Sequence, residues 1–129
     1  MTWRAIAAVA AGGAIGSVLR YQVSVAVTQR VGPGFPWATL LINISGSFAI
    51  GLIVELAMTR ASWIGPPLRL FIAVGVLGGF TTFSTFSLEL VGLVGERAFA
   101  PALAYAAGSL VFGFAAAFAG LLAARLIIA

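Results

Sequence analysis

Gly75-Val76-Leu77-Gly78-Gly79-Phe80-Thr81-Thr82-Phe83-Ser84-Thr85-Phe86-Ser87 lies inside an apolar stretch long enough to cross a bilayer. Spanning helices normally avoid such a cluster of glycines and hydroxyls. A helix interrupted in lipid leaves backbone N–H and C=O groups unpaired, which is costly unless the break is buried in protein or faces water or an ion. The stretch therefore predicts a span broken near Gly78-Gly79, with the working part of the molecule beside the break.

Outward from that segment the chain reads as membrane throughout. It has 129 residues, 62% hydrophobic and 8% charged, where a soluble domain carries about 25% charged residues. Its charge-free stretches are 5–19, 31–54, 70–88 and 98–124. A span needs about 20 mostly apolar residues, with a range of roughly 17–25. The last three stretches suffice alone. The first suffices if it continues to about residue 28 with Arg20 at an interface or facing a cavity. The expected architecture is an all-α integral membrane protein with four transmembrane helices, at about 4–28, 37–59, 67–94 and 100–127, in a single domain over 1–129. The loops carry the breakers Gly32-Pro33-Gly34-Phe35-Pro36, Gly65-Pro66-Pro67 and Gly95-Glu96-Arg97-Ala98. Pro101 suits the first turn of the fourth helix. Met1-Thr2-Trp3-Arg4 makes too thin a basic region for a cleaved signal peptide, so the first span is expected to stay.

Charge and composition exclude several function classes. The net charge of +4 comes from seven arginines and three glutamates. The arginines sit singly at helix ends rather than in a patch, which argues against nucleic acid. Cysteine, histidine and aspartate are absent, so disulfides, thiol chemistry, zinc centres and most nucleophile–base pairs are ruled out. No enzyme is expected.

Orientation is weakly encoded. One side of the membrane would hold Arg4, Arg60, Arg69 and Arg125, the other Arg30 and Arg97, with Arg20 added if it reaches out. Such a balance gives the positive-inside rule little to act on. It fits either a modest bias toward both termini inside or dual topology. Trp3 and Trp63 are expected at one interface and Trp37 at the other. Gly12/Gly16, Gly75/Gly79 and Ser47/Gly51 are small-xxx-small pairs that let helices approach closely. Gly12-Gly13-Ala14-Ile15-Gly16 lacks the strand and acid of a dinucleotide fold. Four short helices are few to enclose a pore, so an oligomer is expected.

Polar groups inside the spans are the candidates for function. Phe80, Phe83 and Phe86 recur every third residue, with Thr81, Ser84, Thr85 and Ser87 between them. They form either a packing stripe or a row of rings whose positive edges can meet a small anion. Thr39, Asn43 and Ser47 make a polar stripe on the second helix; Tyr105 and Ser109 do so on the fourth. Asn43 offers two N–H donors without net charge. Each of these groups is also an ordinary means of tying helices together. Carbonyls around Gly78-Gly79 and Thr81 suit a hard cation such as Na⁺, or else mark a simple glycine kink. Arg20, Glu55 and Glu89 are the ionisable groups in or near the membrane; Arg20 and Glu89 belong at an aqueous mouth or a partner, and Glu55, near the end of the second helix, at an interface.

Ala38-Thr39-Leu40-Leu41-Ile42-Asn43-Ile44-Ser45-Gly46-Ser47-Phe48, the run Gly78 to Glu89, and Gly16-Ser17-Val18-Leu19-Arg20-Tyr21 together resemble the Fluc (CrcB) fluoride channel family, over the whole chain. The resemblance implies an antiparallel dual-topology homodimer with two fluoride pathways. It implies a structural Na⁺ at the dimer centre on the carbonyls of Gly78 and Thr81. It also implies pathways lined by Phe83 and Phe86, an amide donor in Asn43, a hydroxyl track at Tyr105 and Ser109, and Arg20 in the vestibule. Gly113 departs from relatives that carry another hydroxyl one turn beyond Ser109.

The expected function is passive, fluoride-selective conduction that exports fluoride across the inner membrane. The pathway would comprise Asn43, Phe83, Phe86, Tyr105, Ser109, Thr39, Ser84 and Thr85, and its vestibule Arg20 and Glu89. Two other functions fit a chain of this size. One is a small dual-topology exporter of cationic compounds, which would need a carboxylate near the membrane centre. The other is a non-transporting assembly protein in which glycines and hydroxyls only pack helices.

Overall fold

The computed structural model describes residues 2–59 and 64–128. The expected anchor Trp63 and the charge Arg60 lie outside the described residues. Helix α1 runs Trp3–Val31 and α2 Trp37–Thr59; the third span covers Pro66–Gly95 and helix α6 covers Phe99–Ile128. All four spans are long and apolar enough to cross a membrane. Their ends fall within three residues of the sequence expectation. Gly32, at φ 79°, stops α1, and its N–H donates to the Thr28 carbonyl at 2.9 Å. Pro66 and Pro67 open the third span, where a missing N–H costs nothing.

The third span is not one helix. It comprises α3 (Pro66–Arg69), a π-helical stretch (Leu70–Leu77), α4 (Gly78–Phe80), two extended residues and α5 (Phe83–Gly95). The break falls at Thr81 (φ −77°, ψ 157°) and Thr82 (φ −152°, ψ 119°), while Gly78 stays helical at φ −65°, ψ −35°. The chain thus opens two residues beyond the glycines, where a threonine supplies the cap for the next helix. The interruption also takes Phe80 off the row of Phe83 and Phe86: Phe80 ends α4 before it, and the other two start and continue α5 after it. After α5, Arg97 adopts φ 57°, and N–H groups of Arg97 and Ala98 donate to Val94 and Leu93 carbonyls at 3.0 and 2.9 Å. This is a Schellman turn built on arginine in place of glycine.

Glycines serve close approach between spans. A Cβ on Gly12 or Gly16 would run into the carbonyls of Phe71 or Val76, and one on Gly79 would lie 2.6 Å from the Gly13 carbonyl. The two GxxxG pairs of the sequence therefore face each other across α1 and the third span. The second close pair is α2 with α6. There, a Cβ on Gly51 would strike the Ala117 carbonyl and one on Gly120 the Phe48 carbonyl. The small apolar core belongs to that second pair: Ala38, Leu40, Ile42 and Ala57 on α2 with Ala102, Tyr105 and Ala124 on α6. Large apolar residues such as Leu103, Leu110, Phe114 and Leu126 point outward. An inverted ratio of this kind fits lipid as solvent, because association there rests on close backbone packing rather than on expelling water.

Candidate functional site

The site grows from the break. Opening the third span at Thr81–Thr82 strips backbone groups of helical partners, and those groups must bond elsewhere. Asn43, reaching over from α2, takes on most of that load. Its Nδ2 donates to the Thr82 carbonyl at 3.0 Å, and the Thr82 N–H donates to Asn43 Oδ1 at 2.9 Å. The second N–H of its amide has no partner among the described residues. Thr81 closes α4 by donating both its N–H and its hydroxyl to the Leu77 carbonyl, at 3.0 and 2.9 Å. Thr82 starts α5: its Oγ1 accepts the Thr85 N–H at 3.2 Å and donates to Thr85 Oγ1 at 3.0 Å, with Ser84 Oγ 3.3 Å away. Ser84 and Thr85, expected in the pathway, thus sit first of all in the cap of α5.

These bonds have a consequence for two carbonyls. In an unbroken helix the Thr82 N–H would meet the Gly78 carbonyl and the Thr85 N–H the Thr81 carbonyl. Here the first donates to Asn43 and the second to the Thr82 hydroxyl. Gly78 and Thr81 therefore keep carbonyl oxygens free of their helical donors. Both residues line a groove of about 410 Å³ together with Asn43, Ser47, Thr82 and Phe83.

Phe83 is 79% exposed on the protomer. Its ring centroid lies 5.7 Å from that of Phe86, which in turn lies 5.0 Å from Tyr105. Tyr105 meets Phe35 edge-on at 5.6 Å, and Phe35 meets Trp37 at 4.7 Å. A continuous row of rings thus leads from the groove to the loop between α1 and α2. This contact holds Phe86 in place, whereas Phe83 stands clear.

Thr39 and Tyr105 already have a partner. Both hydroxyls, expected in the pathway, go to Glu89: Thr39 Oγ1 donates to Oε1 at 2.8 Å and Tyr105 Oη to Oε2 at 2.6 Å. A carboxylate accepts only, so it captures the hydroxyl protons nearest to it. Glu89 therefore joins α2, α5 and α6, and it also lines an opening of about 370 Å³ with Ser24, Thr28, Phe35 and Glu96. Ser109, one turn beyond Tyr105, keeps a buried hydroxyl with no partner among the described residues. Arg20 lines a third groove, of about 340 Å³, with the hydroxyl residues Ser17, Ser24, Thr39 and Thr85. It pairs with no carboxylate among the described residues: Glu55, the acid near the end of α2, takes Arg125 at 2.8 Å instead.

Of the expected residues, Asn43 and Phe83 line the first groove, Glu89 the second, and Arg20, Thr39 and Thr85 the third, while Phe86, Tyr105, Ser109 and Ser84 line none of these three. Thr82 was missed as a functional residue by sequence reasoning. A hydroxyl directly before an apolar helical run is the capping signal that would have found it.

Comparison with known proteins gives the family. The proteins most similar among those compared include fluoride-specific ion channels named FluC. One from Agrobacterium fabrum is 53% identical, covering 93% of this chain and 95% of that protein. Another from Thermus thermophilus is 50% identical, covering 87% and 88%. A third from Rhizobium meliloti is 48% identical, covering 88% and 90%. The profile of the family described as CrcB-like protein, Camphor Resistance (CrcB), matches residues 7–121, and the chain belongs to that family.

Proposed function

We propose that this chain is a passive fluoride channel of the cytoplasmic membrane. The observation that carries the reading is the groove at the helix break. It joins an amide with one unspent N–H donor (Asn43) to an exposed phenylalanine ring (Phe83), with no formal charge at either group. Fluoride is small and holds its water tightly. A pathway must replace that water with donors, yet bind weakly enough to release the ion. Neutral N–H and O–H groups and ring edges meet both demands. The orphan hydroxyl of Ser109 is a further donor of this kind. Arg20, among hydroxyls in its own groove, attracts anions to the entrance without lying beside Asn43. An inside-negative potential then drives the anion outward, at about 2.3 kcal/mol per charge per 100 mV.

Two copies would complete the pathway. The grooves lie open on the protomer surface, and among the described residues Phe83 meets one aromatic neighbour, Phe86. The near balance of arginines at the two ends supports an antiparallel pair inserted both ways. The carbonyls of Gly78 and Thr81 fit a hard cation, Na⁺, because the break frees their oxygens. Two oxygens from one chain are too few to replace a hydration shell, so the partner would supply the others. Bound there, Na⁺ would supply positive charge that fixes the two broken helices against each other.

The test is a fluoride-electrode recording of efflux from liposomes that contain the purified protein. Fluoride release much faster than chloride release is expected. Equal rates would reject selectivity, and no release would reject the channel.

A further inference from the structure

We propose that Ser47 is a further hydroxyl donor to the permeating anion, at the point where α6 runs out of donors. The proposal rests on the fluoride reading above. Ser47 follows Asn43 by one helical turn, so both stand on one face of α2. It lines the same groove as Asn43 and Phe83.

Hydroxyls in membrane helices usually bond back to a carbonyl one turn earlier. Ser45 does so to Leu41 at 2.7 Å, Thr59 to the Glu55 carbonyl at 2.6 Å and Ser87 to Phe83 at 2.9 Å. Thr39 and Tyr105 are taken by Glu89, and Ser84 and Thr85 by the Thr82 cap. Along α2, α5 and α6 that leaves two hydroxyls with no partner among the described residues, Ser47 and Ser109. On α6 the polar positions Tyr105 and Ser109 are followed, one turn later, by Gly113, which carries no side chain. Ser47 Oγ lies 3.7 Å from the place a Cβ on Gly113 would occupy. The row of donors thus passes from α6 to α2 at that level, with Ser47 filling the space that glycine leaves. An anion moving past Asn43 and Ser109 meets the Ser47 hydroxyl next.

The experiment compares fluoride efflux from liposomes for the unaltered protein, Ser47→Ala, and Ser47→Ala combined with Gly113→Ser. Loss of one donor should lower the fluoride rate on the order of five-fold. Moving the hydroxyl across to α6 should restore most of it, since the 3.7 Å spacing leaves room for the new Cβ. Should Ser47→Ala fail to give a monodisperse protein, Ser47→Cys keeps the side-chain shape at a slightly larger volume and weakens the donor, and should show the same loss. An unchanged rate for the single variant overturns the proposal. So does a loss that Gly113→Ser does not recover, which would make Ser47 a packing residue. Failure of the unaltered protein to pass fluoride is a separate result, read first, and it overturns the channel reading itself.

Discussion

Asn43 and Thr82 hold each other by both ends: the asparagine amide donates to the Thr82 carbonyl at 3.0 Å and accepts the Thr82 N–H at 2.9 Å. The side chain stands in for a peptide group and mends the opened helix from a neighbouring span. Stability and conduction should therefore depend on the same residue. Asn43→Ala strands one N–H and one carbonyl, at about 1–3 kcal/mol for each unsatisfied group. The thermal midpoint in detergent should fall and fluoride efflux should collapse. An unshifted midpoint would mean that other contacts hold the break.

Phe83 gives the opposite pattern. It is 79% exposed on the protomer and touches Phe86 at a centroid distance of 5.7 Å. Phe83→Ile should cost the fold no more than about 0.5 kcal/mol, as surface substitutions do. It removes the ring edge, however, so fluoride efflux should fall by roughly ten-fold, equivalent to about 1.4 kcal/mol on the barrier. Parallel measurement of melting and efflux separates the two effects.

The glycines of α1 and the third span are a test of packing. A Cβ on Gly79 would lie 2.6 Å from the Gly13 carbonyl, whereas one on Gly13 would meet nothing within 4 Å. Gly79→Ala must push the helices apart and should abolish monodisperse protein or cost about 1–3 kcal/mol, the usual range for overpacking. Gly13→Ala should behave as the unaltered chain. Size-exclusion profiles of the two variants would show the contrast.

Glu89 holds two hydroxyls, and Tyr105→Phe removes one of them. The carboxylate Oε2 then loses its donor in a partly buried place, at a cost of about 1–3 kcal/mol. A lower melting temperature is expected, with fluoride flux reduced but not lost, because Asn43 and Phe83 are untouched. Thr39→Val should act in the same direction.

The ion pair between Arg125 and Glu55 predicts little. Arg125 is 61% exposed there against 13% for Glu55, and a pair whose cation stands in solvent contributes about 0–1 kcal/mol. Glu55→Gln should leave both melting and fluoride efflux within error. A large loss of efflux would place Glu55 in the pathway.

The sequence by itself determined four spans, their ends, and the pairs of small residues that let them touch, because hydropathy and glycine spacing act locally. It also marked Asn43, Phe83 and the third span as unusual, since polar groups and broken backbone are expensive in lipid. Only tertiary structure decided which partner each polar group takes. The break moved from Gly78-Gly79 to Thr81–Thr82 because Asn43, 39 residues away, caps it there. Thr39 and Tyr105 turned to Glu89 because three helices bring a carboxylate between them. Ser47 Oγ came to lie 3.7 Å from the place of a Cβ on Gly113 because α2 and α6 pack closely there. Hydrogen bonds are made with whatever donor or acceptor lies within about 3 Å, and such neighbours are set by the packing of distant segments, which a one-dimensional pattern does not contain.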